Sequence, residues 1–162
     1  MGIFAEALIA GEDIKDYIPQ REPIIMVDAF YGLDDKKSFS GFKVKEDSIF
    51  VDDEHLIDAG IIEHIAQSCA LRIGYLFRQQ QLPIPTGFIG AIKNMKIRTL
   101  PKVGQQLFTT ITVLTEIFDI TLVSIEVEVN QTTVATGEMK IFLNSKHEEN
   151  NNDSVFDPQH PM

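Results

Sequence analysis

Glu63 is the residue of this sequence best placed to do chemistry. It stands near the start of a long apolar stretch, with Gln67, Ala70 and Gly74 following on what would be one face of a helix. An ionised carboxylate is expensive to bury without partners but is favoured near a helix N-terminus. Facing a cleft, it could act as a general acid or base. The competing reading is a glutamate that merely begins a helix and reaches solvent or an arginine. Cys69 has no basic neighbour in the chain, so it reads as a small core residue rather than a nucleophile. His55 and His64 have Asp52, Asp53, Glu54 and Glu63 beside them, but no H-E-x-x-H and no paired Cys/His spacing is present. Glu63 and His64 are consecutive, about 100° apart around a helix, so they do not converge on one ion. No metal site is expected. With no G-x-S-x-G, no phosphate-binding loop and no G-x-G-x-x-G, the hydrolase-elbow and nucleotide readings have no support.

These residues need an element to hold them. Residues 59–80 contain no proline, and Ile61, Ile62, Ile65, Ala66, Cys69, Ile73, Leu76 and Phe77 wrap most of the circumference. A surface helix shows one apolar stripe and a polar remainder, so a helix apolar nearly all round is a buried one. Asp58 is its expected N-cap, and Arg72 and Arg78 suit its later turns. Before it, residues 24–33 and 38–45 read as a hairpin, preceded by prolines 19 and 23 that exclude a regular helix. Residues 52–55 read as a polar break. After it come four strands, at 87–98, 106–118, 123–129 and 134–143. The third of these carries Val123, Ile125, Val127 and Val129 on one face. The second should carry Leu107, Thr109, Ile111, Val113, Thr115 and Ile117 together. Two strands, an apolar helix and four antiparallel strands make an α+β chain. The helix needs more cover than a flat sheet offers, so a curved sheet wrapping it is expected, with a second subunit behind. That is a hot-dog arrangement, laid out as a lead-in over 1–18, a domain over 19–144 and a disordered polar tail over 145–162.

Composition narrows the partners. The chain has 162 residues with 14 Lys+Arg against 24 Asp+Glu, a formal charge of −10, and one cysteine. The size suits one domain. The acidic balance argues against nucleic acid or an anionic membrane surface. A lone cysteine allows no intrachain disulfide, no apolar run approaches a membrane span, and the first residues lack a secretory pattern, so a cytoplasmic location is expected. The charge is uneven, however. Residues 88–105 carry Lys93, Lys96, Arg98 and Lys102 and no acid. Such a strip can recruit an acidic partner locally, or simply blunt an exposed strand edge.

Three segments resemble one family. Residues 18–28, I-P-Q-R-E-P-I-I-M-V-D, resemble the L-P-H-R-x-P-x-L-L-V-D segment of the 3-hydroxyacyl-acyl-carrier-protein dehydratases. Residues 61–67, I-I-E-H-I-A-Q, resemble that family's I-I-E-A-M-A-Q helix. Residues 88–92 and the turn at 101–105 resemble its third strand and P-x-x-P-G-D turn. The similarity runs in order from about residue 17 to 143. It extends to dehydratase-like proteins of aryl-polyene pathways, which have a shorter loop before the helix. The resemblance implies a hot-dog fold, no cofactor, clefts formed between subunits of a homodimer or higher oligomer, and an acyl thioester on an acyl carrier protein as substrate. In the family a His takes a proton α to the thioester, the helix acid helps the 3-hydroxyl leave as water, and backbone N–H groups polarise the thioester carbonyl. The acid maps to Glu63 and its accompanying amide to Gln67. The strand amides map to Gly90, Ala91 and Ile92, and the glycine before the helix maps to Asp58, whose carboxylate would oppose a developing oxyanion. The His maps to Gln20, which has no titratable nitrogen, so about 10²–10⁴-fold of acid–base assistance is missing. His64 faces elsewhere on the helix, and His55 would have to swing in from the preceding loop. Three functions compete: a dehydratase-like lyase with weak or no activity of its own, a non-catalytic acyl or carrier-protein binding subunit paired with an active paralogue, and an acyl thioesterase. Lys93, Lys96, Arg98 and Lys102 would be the carrier-docking strip.

Overall fold

The computed structural model describes residues 2–144, and the tail expected over 145–162 lies outside the described residues. The chain enters through Ile9–Ala10 (β1) and a 3-10 turn at Gly11–Asp16, then forms Ala29–Asp34 (β2) and Lys37–Lys43 (β3). A small hairpin, Val51–Asp52 (β4) and His55–Leu56 (β5), leads into the helix Asp58–Gln79 (α1). Four long strands follow: Gly87–Ile97 (β6), Gln106–Ile117 (β7), Ile120–Val129 (β8) and Thr132–Leu143 (β9). Seven strands make one antiparallel sheet in the order β1-β2-β3-β7-β8-β9-β6. The strand that follows α1 in the chain therefore lies at the far edge of the sheet, and β7 crosses back to pair with β3.

The helix is buried from two sides. Ile61, Ile65, Cys69 and Ile73 pack into the main core with side chains such as Phe42, Leu107, Ile111, Ile125 and Met139 from the sheet. On the opposite flank Leu71 joins Ile14, Ile18, Val27 and Phe30 in a second cluster. Each such side chain contributes about 1.5–3 kcal/mol on leaving water. The lead-in thus supplies part of the cover for which a sheet alone is insufficient. The outer face has a cover of its own over β2, β3 and β7, where the Phe4 ring lies 5.2 Å from Tyr31, 5.6 Å from Phe39 and 4.9 Å from Phe108.

Several boundaries differ from the sequence expectation for physical reasons. The residue capping α1 is Ile57, without a side-chain cap bond; Asp58 is the first helical residue, its Oδ1 accepting from the Ala59 N–H at 3.2 Å. The expected polar break is the turn of the β4–β5 hairpin, with Asp53 and Glu54 at φ 48° and 60°. Two successive left-handed residues are what a tight two-residue hairpin turn requires. In β7 the alternation holds through Leu107, Thr109, Ile111 and Val113, all buried. A register shift between Val113 and Thr115 then turns the strand over. Ile117, expected with Leu107, is instead 57% exposed. It falls in a cross-strand row with Ile120, Phe142 and Phe88 on the outer face.

The lead-in comes up against the helix backbone at Gly74. A Cβ there would lie 2.0 Å from the Tyr17 carbonyl oxygen and 2.9 Å from its carbon, both backbone atoms. Gly74→Ala is therefore expected to lose about 1–3 kcal/mol by overpacking, although alanine is the better helix former by about 1 kcal/mol. Urea unfolding of the two proteins measures it, and an unchanged or raised midpoint would refute the contact.

Candidate active site

The site is built from α1 and the segment that precedes β2. Gln67 is fully buried, and both polar atoms of its amide are hydrogen-bonded to the protein. Its Oε1 accepts from the Met26 N–H at 2.6 Å, and its Nε2 donates to the Ile24 carbonyl and to Glu63 Oε1, both at 2.9 Å. One turn earlier, His64 is equally buried. Its Nδ1 donates to the Met26 carbonyl at 2.6 Å, and its Nε2 lies 2.7 Å from Thr109 Oγ1. A carbonyl can only accept, so the proton sits on Nδ1 and the Thr109 hydroxyl donates to Nε2. Burial drives this imidazole down to about 4, against the opposing effect of the Met26 hydrogen bond. His64 is a neutral structural residue and faces away from Glu63. The same bonds explain why the strand expected from residue 24 begins only at Ala29: around Met26, side chains of the helix take the backbone groups that a ladder would use.

Glu63 is half-buried, held by Gln67 one turn along the helix. Ala66, one turn of helix from Glu63, begins the wall of a cavity of about 430 Å³ that neither Glu63 nor Gln67 lines. Ala70 and Ile73 continue that wall along α1, Tyr17 to Gln20 close one side, and Gly87, Ile89 and Ile141 close the other. The lining is mostly apolar. Gln20 contributes its side chain to this cavity, and its buried Oε1 has no hydrogen-bond partner among the described residues. The loop bearing Gln20 is fixed by Arg21, whose guanidinium donates to the carbonyls of Ile18 and Gln20 at 2.8 Å and of Lys15 at 3.0 Å. Cys69 also lines the cavity, and burial pushes its thiol up to about 12, so it stays protonated.

The remaining sequence candidates lie elsewhere. Asp58 is exposed at the first turn of α1. Gly90, Ala91 and Ile92 follow the cavity-lining Ile89 along β6 without lining the cavity themselves. Gly90 sits under the Phe142 ring, where a Cβ would come within 2.0 Å of Cε2. Lys93, Lys96 and Arg98 are exposed near the end of β6, and Lys102 is exposed in the turn before β7. Glu138 lies directly across from Lys93, an acid that the one-dimensional reading of residues 88–105 did not count. His55 is held in β5, its Nδ1 donating to the Asp53 carbonyl at 2.6 Å, and its strand pairs with Lys102. The sequence reading missed Tyr17, Ile84 and Ile89 as cavity walls. For Ile84 and Ile89 the apolar run 84–92 with Pro85 was the available signal, but nothing in it fixes which side chains turn inward.

A model of the ApeP-like family, described as ApeP dehydratase, matches residues 12–152 of the chain. Among curated proteins none matches in sequence. Solved structures match in fold. A chain of the dehydratase heterocomplex ApeI:P from Xenorhabdus doucetiae is 17% identical, with a TM-score of 0.76 over 86% of this chain and 95% of that one. A hypothetical thioesterase with coenzyme A from Streptococcus pneumoniae is 10% identical, with a TM-score of 0.58 over 71% and 84%. The PaaI protein from the phenylacetic acid degradation operon of E. coli is 15% identical, with a TM-score of 0.55 over 70% and 80%. The fold is the hot-dog fold, α+β, with its long helix packed on an antiparallel sheet. No helix among the described residues is long and apolar enough to cross a membrane.

His64 has a pH signature. Its folded-state pKa of about 4 lies below its ordinary value of 6.5, so between these the unfolded chain binds the extra proton and stability falls on acidification. For a single such group the loss between pH 7 and pH 5 is about 2 kcal/mol. Urea unfolding across that range should show the slope, and His64→Asn should flatten it while lowering stability at pH 7. An equal slope in both proteins would assign the acid sensitivity to other groups.

Proposed function

Because the chain belongs to the ApeP-like dehydratase family, we propose that it is a 3-hydroxyacyl-thioester dehydratase-like subunit that binds the acyl chain and offers Glu63, but carries no general base of its own. The observation that carries this reading is the cavity bounded by Gln20 and Ala66, with the Gln67-held Glu63 beside it. Dehydration removes a proton α to the thioester and the hydroxyl at C3, leaving an enoyl thioester and water. Glu63 supplies the proton that lets the hydroxyl depart as water. A base must take the α proton, and the Gln20 amide cannot. What Gln20 can do is accept a hydrogen bond through its unpartnered Oε1, fixing a hydroxyl or amide N–H of the ligand.

The missing base favours an assembly with a second subunit that provides one. Among the described residues the β6 strand pairs only with β9 and its other edge is unpaired, and Phe88, Ile89 and Ile92 on it are 53, 42 and 45% exposed. An open edge with apolar side chains is a template for strand pairing. It lies against the cavity through Gly87 and Ile89, so a partner seated there would close the site. The likeness in fold to a chain of a solved dehydratase heterocomplex supports a second, different subunit as that partner, and a second copy of this chain is the competing occupant of the edge. Carrier-borne substrate fits the exposed Lys96, Arg98 and Lys102, with Lys93 partly offset by Glu138.

The test uses the purified chain with 3-hydroxyacyl and enoyl thioesters, following enoyl absorbance and free thiol. The wild-type chain is expected to show little hydration or dehydration, and Gln20→His to gain about 10²-fold or more. Glu63→Gln in the Gln20→His background should abolish that gain. No gain from Gln20→His would overturn the assignment of position 20, and thiol release dependent on Glu63 would make the protein a thioesterase instead. In the Gln20→His background with carrier-bound substrate, Lys96→Glu combined with Arg98→Glu should raise KM and leave kcat unchanged. An equal rise with pantetheine thioesters would remove the docking role.

A further inference from the structure

Arg72 of α1 sets one guanidinium nitrogen in the interior, while its two terminal nitrogens keep contact with solvent. It is half-buried, its Nε is shut off from solvent, and it makes no hydrogen bond or ion pair among the described residues. Glu116 acts on it only through space. Burial lowers the guanidinium below its ordinary range, the mark of a cation held where water serves it poorly. It faces a void of about 10 Å³ bounded by Cys69, Ile73, Thr121 and Ile141, room for about one water. Cys69, Ile73 and Ile141 are also walls of the large cavity. Arg72 therefore lies behind a thin partition of three apolar side chains at the inner end of that cavity.

The geometry has a direction. Gln20 and Ala66 mark the end beside Glu63, and the cavity continues along α1 through Ala70 to Ile73. Those seven residues of helix span about 10 Å. A thioester placed near Glu63 would thus send its acyl tail toward the partition and Arg72. A wholly apolar tail leaves the buried Nε without a partner. A tail ending in an oxygen acceptor would meet it once the Ile73 and Cys69 rotamers yield.

We propose that Arg72 reads the far end of the acyl chain and selects chains that end in a hydrogen-bond-accepting oxygen, a carboxylate most strongly. This rests on the acyl-binding reading above and adds to it the substrate's distal chemistry. A carboxylate accepts from guanidinium with both geometry and charge in its favour, whereas a hydroxyl offers geometry alone.

The test is binding rather than turnover. Acyl pantetheine amides of matched length ending in methyl, hydroxyl or carboxylate are titrated into the full chain by calorimetry over a series of lengths. At one length the carboxylate probe is expected to bind about tenfold or more tighter than the methyl probe, with the hydroxyl probe between. Arg72→Met retains the apolar stem and should bind the methyl probe as the wild type does while losing the preference. Arg72→Gln, with a neutral donor, should keep a preference for the hydroxyl and lose that for the carboxylate. Equal affinities at every length in the wild type, or an unaltered preference in Arg72→Met, would overturn the proposal and leave Arg72 to a bound water. Methyl-probe binding with no end preference defeats this inference alone. No binding of any probe defeats the acyl-binding reading and this inference with it.

Discussion

Met26 has both backbone polar groups taken by side chains of one helix. Gln67 accepts from its N–H and His64 donates to its carbonyl, each at 2.6 Å and each without solvent access. Between them these two bonds fix where the chain leaving the proline-rich segment meets the helix. Losing either partner would leave a buried peptide group unsatisfied, at a cost of about 1–3 kcal/mol. The same Gln67 amide holds Glu63, so the orientation of the site's carboxylate and the docking of residues 24–26 are set by one side chain. That coupling makes Gln67 a positioning residue: it is fully buried, and its bonds all go to the protein.

The rest of the architecture follows from covering α1. The sheet takes one flank through Ile61, Ile65, Cys69 and Ile73, and the lead-in takes another through Leu71. The lead-in can come that close only because position 74 has no Cβ. Where neither covers the helix, a cavity remains along Ala66, Ala70 and Ile73, bounded by small or apolar side chains. The cavity is thus the unfilled remainder of the packing problem that the helix poses. Gln20 lines this cavity and Arg72 lies outside it behind Cys69, Ile73 and Ile141, each with a buried atom lacking a partner among the described residues. Buried polar groups are nearly always satisfied, so the orphan Gln20 Oε1 in the cavity wall marks a place that a ligand can complete.

Legibility in the sequence followed the range of the interactions involved. The helix, its burial and the four later strands were readable because hydrophobic period is a local signal. The Glu63–Gln67 pair was readable because four residues of helix bring side chains together whatever the fold. The bulge in β7 was not, since it depends on pairing with β8, and it sent Ile117 to the outer face against the alternation. Nor was the acid across from Lys93, because Glu138 is distant in the chain and adjacent only across the β6–β9 ladder.

By itself, then, the sequence determined that a buried apolar helix carries a carboxylate and an amide one turn apart, within an α+β chain. Tertiary structure alone decided the strand order that sends β6 to the open edge, the two-sided cover of α1, and the cavity that joins Gln20 to the helix. It also decided the fate of His64, which is chemically capable as a base but is buried, singly protonated and committed to Met26 and Thr109. The reason is physical: periodicity records which side chains must leave water, while the partners they find, and the spaces left between them, depend on contacts between residues far apart in the chain.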